Sequence, residues 1–196
     1  MKKTFSIIAI LLGVIFLLYT TIGNFYNTAI TYQENVKTSW SKVESAYQRR
    51  ADLIPNLVNT VKGYAEHEKE TLEAVIKARA SATQTKIDPT NITPEQLAQF
   101  QQAQQGLSGA LSRLLLTVEK YPDLKANQNF LELQSQLEGT ENRIKVERDR
   151  FNEAVNVFNV HIKKFPGNLL AGIFGFKEMS RFVSEKGAEK APKVEF

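Results

Sequence analysis

Residues that commonly carry out catalysis or bind metals are scarce in this sequence of 196 residues. It contains no cysteine, which excludes disulfides, zinc–thiolate centres and thiol nucleophiles. The two histidines are His67 and His161, and His67 lies in the run EHEKE. Together with Glu66, Glu70 and Glu73, His67 forms the densest group of possible metal ligands in the sequence.

This group lacks the spacing of an established metal centre. Zinc peptidases use H-E-x-x-H and di-iron bundles use paired E-x-x-H sequences, whereas Tyr64 and Phe158 precede the two histidines by three positions. The serines of LSGALS have no matching histidine and acid, and no glycine-rich phosphate-binding sequence occurs. We therefore expect no enzymatic activity, no cofactor and no metal, with a metal protein or enzyme centred on His67 as the less favoured alternative.

The charge distribution gives no indication of a nucleic-acid partner. The formal net charge is +4, and Lys2 and Lys3 contribute two of these charges before the first acidic residue, Glu34. The rest of the sequence is nearly balanced, whereas nucleic-acid-binding proteins usually present a strongly basic face. We expect no nucleic acid among the partners.

The N-terminal segment has the length and composition of a membrane-spanning helix. Residues 4–33 carry no charge, and twelve of the nineteen residues at positions 5–23 are Leu, Ile, Val or Phe. Nineteen helical residues extend about 28 Å, close to the hydrocarbon thickness of a bilayer. We predict that this helix contacts the lipid bilayer. The expected anchor residues are Phe5, Ile8, Leu11, Leu12, Ile15, Phe16 and Tyr19.

The alternative is a cleaved signal peptide, but the apolar run is longer than a typical signal core and no A-x-A-like cleavage site follows it. Lys2 and Lys3 precede the span, and the first basic residue after it is Lys37. The positive-inside rule then places the N-terminus in the cytoplasm and the larger part of the chain outside it. This predicts a single-pass protein of the cell (inner or plasma) membrane.

The remainder of the sequence predicts an all-α fold. Between residues 33 and 165 the apolar residues recur at alternating steps of four and three, which keeps them on one face of each helix. Turn signals at Asp88-Pro89, Thr93-Pro94 and Tyr121-Pro122 separate three helices, near 26–84, 94–121 and 123–165. The N-terminal transmembrane helix is expected to lead directly into an up-down-up bundle of three long, coiled-coil-like helices.

Three polar residues, Arg50, Gln104 and Glu147, occupy positions that the apolar pattern would place in the core. A buried charge is costly unless it is paired, so these residues either pair inside the bundle or mark a second interface. Pro55 lies inside the first helical pattern and removes the backbone hydrogen bond to Ala51, which predicts either a static bend or a hinge.

The sequence divides into an anchor at 1–26, a bundle at 27–165, an apolar C-terminal strap at 166–183 and a mobile tail at 184–196. The strap is too short to span a bilayer, and it either closes the end of the bundle or contacts a partner or the membrane. Its candidate interaction residues are Leu169, Ile173, Phe174 and Phe176.

Several runs of this sequence resemble the LemA family of bacterial proteins. They are RRADLIPNLVNTVKGYAEHEKETLEAVIKARA at 49–80, LSGALSRLLLTVEKYPDLKANQNFLELQSQLEGTENRIKVERDRFNEAVNVFN at 107–159, FPGNLLAGIFGFK at 165–177 and the terminal APKVEF. The resemblance implies a single-pass membrane protein with a bundle of long helices, and it supplies no catalytic residues.

The sequence as a whole favours a membrane-anchored, non-enzymatic scaffold or adaptor of the bacterial cell envelope. Such a protein would act through helical contacts with a protein partner, or with further copies of itself as a homo-oligomer. A lipid-contacting protein that organises membranes is the alternative, and the apolar strap is its main support.

Overall fold

The computed structural model describes residues 2–64 and 67–183, which are mostly helical. Its six helices are α1 Lys2–Lys62, α2 Lys69–Gln84, α3 Pro94–Val118, α4 Pro122–Lys125, α5 Gln128–Lys163 and α6 Gly167–Phe174. The predicted all-α class, with a long apolar N-terminal helix leading into a bundle, is confirmed. The tail expected at 184–196 lies outside the described residues.

Helix α1 has 61 residues. At a rise of about 1.5 Å per residue it is roughly 90 Å long. Every described side chain from Thr4 to Tyr19 is exposed, and the first buried one is Phe25. Within the described residues, α1 is the one helix long and apolar enough to cross a membrane, and none of its most apolar 18-residue window is buried. The exposed apolar half and the first helix of the bundle therefore form one continuous helix.

The expectation of an uninterrupted helix over 26–84 is wrong, because α1 ends at Lys62 and α2 begins at Lys69. Gly63 follows the end of α1, and glycine is a poor helix former. The next eight positions, 64–71, contain no large apolar side chain except Tyr64, which is 45% exposed. Burial of an apolar stripe, which stabilises most helices in proteins, is therefore lost here, and the chain reverses direction.

Other helix ends follow local capping signals. At the start of α3, Thr93 and Gln96 form a capping box, with Pro94 in the first turn. The helix expected over 123–165 is divided into α4 and α5, because Asn127 Oδ1 accepts a hydrogen bond from the N–H of Phe130 and starts α5 anew.

The four long helices alternate in direction. Phe25 lies beside His161 and Tyr64 beside Asn127, so α1 and α5 are antiparallel. Helices α1 and α5 share the most extensive contact, and α2 packs against both α1 and α3. The reversal after Lys62 thus adds a fourth long helix to the expected up-down-up arrangement. The half of the bundle nearer the N-terminal segment consists mainly of α1 and α5, covered by α6 and residues 176–183.

Buried apolar residues form two clusters along the bundle. The membrane-proximal cluster is centred on Trp40, Phe151 and Phe158, which are fully buried. The distal cluster contains Leu57 and Leu114 together with apolar residues of α2. Along α1, Arg50 lies between the residues of the two clusters.

Candidate interaction surfaces

Arg50 is a buried cation, 3% exposed, on α1 between the two apolar clusters. Its Nη2 donates to Oε1 of Gln104 at 2.6 Å, and its Nη1 donates to Oγ of Ser108 at 3.0 Å and to Oε2 of Glu141 at 2.8 Å. The guanidinium therefore joins α1, α3 and α5 at one level. These partners satisfy the two terminal nitrogens, whereas Nε has no hydrogen-bond partner within the described residues. Arg50 and Gln104 therefore pair inside the bundle.

Gln104 extends this arrangement to the fourth long helix. Its Nε2 donates to the carbonyl oxygen of Ala82, near the end of α2, at 3.2 Å. The buried amide of Gln104 thus accepts a hydrogen bond from Arg50 through its oxygen and donates one to α2 through its nitrogen. We refer to Arg50, Gln104, Ser108 and Glu141 as the polar layer.

A groove of about 680 Å³ opens over the polar layer, between α3 and α5. We call it the polar groove. Besides the four polar-layer residues, its lining consists of Tyr47, Ala98, Gln101, Gln102, Gln105, Arg148 and Val183. Amide and charged side chains predominate, so the groove is suited to a hydrogen-bonding ligand rather than to a small apolar one.

Tyr47 forms part of the buried side of the groove. Burial raises the pKa of its hydroxyl above the ordinary value, while the positive charges of Arg148 and Arg50 act in the opposite direction. The Arg50 guanidinium carbon also lies 5.1 Å from the centroid of the Tyr47 ring. The neutral phenol is therefore the form that this environment favours.

An extended segment, residues 176–183, runs along α5 and ends at the polar groove. Asn159 exchanges two hydrogen bonds with the backbone of Met179, at 2.8 and 3.0 Å. Asn152 does the same with Phe182, at 3.1 and 2.8 Å. Side-chain amides thus bind this segment through its main chain, much as a neighbouring β-strand would.

The polar groove continues this mode of binding. Gln101 on α3 donates from Nε2 to the carbonyl oxygen of Val183 at 3.3 Å, where the extended segment reaches the groove. The sequence does not mark Asn152, Asn159 or Gln101 as interaction residues. The heptad spacing of the two asparagines is a signal in the sequence, but it does not reveal which segment they bind.

Glu147 is 1% exposed and does not join the polar layer. Its Oε1 accepts from Arg143 at 2.7 Å and from Arg150 at 2.9 Å, both on its own helix. Its Oε2 has no hydrogen-bond partner within the described residues. Of the three polar residues that interrupt the apolar pattern, Arg50 and Gln104 therefore bind each other between helices. Glu147 instead pairs with arginines of its own helix.

The predicted anchor residues form an exposed apolar surface on α1. They are Phe5, Ile8, Leu11, Leu12, Ile15, Phe16 and Tyr19, all more than half exposed. The four candidate residues of the strap fall into two groups. Leu169 and Ile173 are strongly exposed and Phe174 is partly exposed. Phe176 packs inward, with its ring 6.2 Å from the rings of both Phe25 and Phe158.

The possible metal-binding group around His67 is only partly described, because Glu66 lies outside the described residues. Across residues 2–64 and 67–183, no three or more histidine or acidic side chains are grouped closely enough to hold a metal ion.

Comparison with known proteins identifies relatives over most of the chain. The model of a family described as the LemA family matches residues 39–196. Magnetosome protein MamQ 2 of Paramagnetospirillum magneticum is 30% identical over 184 residues, which cover 85% of this chain and 67% of the relative. Magnetosome protein MamQ of Magnetospirillum gryphiswaldense is 30% identical over 88% of this chain and 70% of its own length. Protein LemA of Metamycoplasma hominis is 27% identical over 77% and 68% of the two chains.

Proposed function

This chain belongs to the LemA family, and we propose that it is a membrane-anchored, non-enzymatic scaffold of the bacterial cell envelope. In this proposal α1 holds the protein in the membrane, and the polar groove binds an extended segment of a protein partner. The relatives named as magnetosome proteins support a structural role at membranes, by analogy alone.

The observation that carries the proposal is the way in which the bundle already holds an extended segment. Asn152 binds both the N–H and the carbonyl of Phe182, Asn159 does the same with Met179, and Gln101 binds the Val183 carbonyl at the groove. Beyond that carbonyl, the groove presents the further amide side chain of Gln102, which is exposed. Amides that donate and accept suit a peptide backbone, whose groups alternate in the same way.

The polar layer supports the same function by keeping the groove fixed in shape. Arg50 connects the floor of the groove on α1 to Gln104 and Ser108 on one wall and to Glu141 on the other. Buried polar networks of this kind specify one packing arrangement when their members are satisfied. A partner segment would therefore meet a preformed surface, which lowers the cost of binding.

We propose further that the bundle lies outside the cytoplasm. Lys2 and Lys3 precede the apolar segment, and the next basic residue is Lys37. Positively charged residues that flank a span tend to stay in the cytoplasm, so this asymmetry favours translocation of the C-terminal part.

Photocrosslinking in native membranes tests the scaffold proposal. Since the chain contains no cysteine, a single Gln102→Cys substitution can carry a photoreactive maleimide in the groove. Gln99→Cys is a matched control, because Gln99 is an exposed glutamine of the same helix that does not line the groove.

We expect one discrete protein adduct from position 102 and little or none from position 99. An adduct of twice the chain's mass would identify a second copy as the partner and support self-assembly. A crosslink within one chain, to residues 184–196, would contradict partner binding. Equal labelling from both positions, or no protein adduct from position 102, would also reject the scaffold function.

A further inference from the structure

Helix α6 presents an apolar face that is left uncovered by residues 2–64 and 67–183. Leu169 is 61% exposed and Ile173 is 76% exposed, and Phe165, just before the helix, is 81% exposed. Leu169 and Ile173 are four positions apart within α6, a spacing that places side chains on one side of a helix. We call these two residues the α6 apolar face. Large side chains exposed together in this way commonly mark an interaction site.

The opposite side of α6 is fixed to the bundle at a defined place. Gly167 lies so close to α1 and α5 that a Cβ there would be 2.7 Å from both the Phe25 ring and the carbonyl oxygen of His161. His161 stacks on Phe25 at 4.7 Å, and its Nε2 donates to the Phe25 carbonyl oxygen at 3.1 Å. The α6 apolar face therefore has a fixed orientation relative to α1.

This place is the end of the exposed apolar segment of α1. Ile22 is still 37% exposed, and Phe25, only three residues later, is buried under α6. Three residues of helix correspond to about 4.5 Å along the axis. Tyr26 also lies next to Phe174, with ring centroids 5.0 Å apart. If α1 crosses a bilayer, α6 lies at the level where α1 leaves the hydrocarbon.

The charged residues around α6 are distributed as expected for a helix at the interface between membrane and water. The helix itself, GNLLAGIF, carries no charge. Lys163, Lys164 and Lys177 flank it, and Lys163 forms an ion pair with Glu178. Helices that lie in the plane of a membrane bury one apolar face below the headgroups, and lysines with long aliphatic stems extend to the headgroup level.

We propose that the α6 apolar face inserts into the interfacial layer of the same bilayer that α1 spans, which gives the bundle a second contact with lipid. The inference rests on the membrane anchoring in the proposed function, but not on the polar groove. With two contacts, α1 cannot rotate freely about its axis, and the polar groove is held at a fixed orientation to the membrane surface.

Site-directed spin labelling of the full-length chain in liposomes of phosphatidylcholine and phosphatidylglycerol tests this inference. Single-cysteine variants Leu169→Cys and Ile173→Cys carry a nitroxide, and its collision rates with oxygen and with a water-soluble nickel complex report its depth. Leu12→Cys serves as the reference within the span. Leu116→Cys is the control, because Leu116 is 64% exposed on α3 near the distal cluster.

We expect the ratio of oxygen to nickel collision rates at positions 169 and 173 to be several-fold above that at position 116 and below that at position 12. A ratio at 169 and 173 equal to that at 116, with position 12 in lipid, would overturn the inference and leave the anchor intact. A ratio at position 12 equal to that at 116 would overturn both. A high ratio at 173 that disappears when the protein is diluted in lipid would assign the face to a second copy instead.

Discussion

At the level of single residues, Arg50 depends on the tertiary fold for all its hydrogen-bond partners among the described side chains. Its partners Gln104, Ser108 and Glu141 are 54, 58 and 91 positions away in sequence. Glu141 is 58% exposed at its side chain, whereas Gln104 is buried. The two contacts should therefore contribute differently to stability, because solvent screens the exposed ion pair but not the buried hydrogen bond.

Replacement of Arg50 by methionine keeps most of the side-chain length and removes the donors. Oε1 of Gln104 would then be buried without a partner, and we expect the free energy of unfolding to fall by about 1–3 kcal/mol. Glu141→Gln removes only the exposed charge and should cost less than about 1 kcal/mol. Urea unfolding in detergent micelles, followed by fluorescence of the single, fully buried Trp40, measures both. Equal losses in the two variants would contradict this ranking.

Tyr47 predicts how stability depends on pH. Burial raises the pKa of its hydroxyl above the ordinary value of 10.0, so the folded state favours the neutral phenol. This contribution is fully present below pH 10 and is lost as the pH rises through the folded-state pKa. Unfolding midpoints of the native chain should therefore decline more steeply above pH 10 than those of Tyr47→Phe. Parallel curves for the two proteins would show that Tyr47 does not contribute.

The sequence predicts the core positions of Arg50 and Gln104 better than it predicts which groups they bind. The spacing of apolar residues correctly indicated that Arg50 and Gln104 face the core. It could not reveal that they bind each other while Glu147 binds Arg143 and Arg150 on its own helix, because periodicity describes one helix at a time.

Among the structural elements, α1 shows how a proline can be accommodated in a continuous helix. Pro55 has no N–H, so the carbonyl of Ala51 lacks its helical partner. Nε of Arg79, on α2, donates to that carbonyl at 2.7 Å. The missing bond within α1 is thus replaced by a bond from the helix that packs against it.

A double-mutant cycle tests this replacement. Arg79→Met should lower the free energy of unfolding by about 1–2 kcal/mol, because it leaves the Ala51 carbonyl unsatisfied. In a Pro55→Ala background the alanine N–H can satisfy that carbonyl, so the same change should cost clearly less, with a coupling of about 1 kcal/mol. An identical loss in both backgrounds would mean that the Arg79 contact has no relation to the proline.

The helices themselves were predictable to different degrees. The helix start at Thr93-Pro94 and the apolar run of α1 are local signals, and both were predicted correctly. The end of α1 at Lys62 was missed, because the apolar spacing of α1 continues to Tyr64 and resumes in the same register at Val75, fourteen positions after Val61. The course of residues 176–183 depends on Asn152 and Asn159, which are 30 and 20 positions from the residues they bind, and was therefore outside the reach of local patterns.

For the whole molecule, the polarity of the surface changes along the length of α1. The N-terminal side chains are apolar and exposed, the α6 apolar face lies where they end, and the polar groove lies further along the bundle. A membrane around the first region and a protein segment in the last would cover both surfaces. This arrangement is the basis of the proposed scaffold, and it requires the groove to be reachable from outside the cytoplasm.

Impermeant maleimide labelling of Gln102→Cys in intact spheroplasts, followed by alkaline extraction of the membranes, tests the central claim most directly. The absence of any other cysteine makes the label specific to the groove. We predict that position 102 is labelled before permeabilisation and that the labelled chain stays in the membrane pellet. Labelling that requires permeabilisation, or release of the labelled chain into the supernatant, would contradict a bundle anchored by α1 outside the cytoplasm.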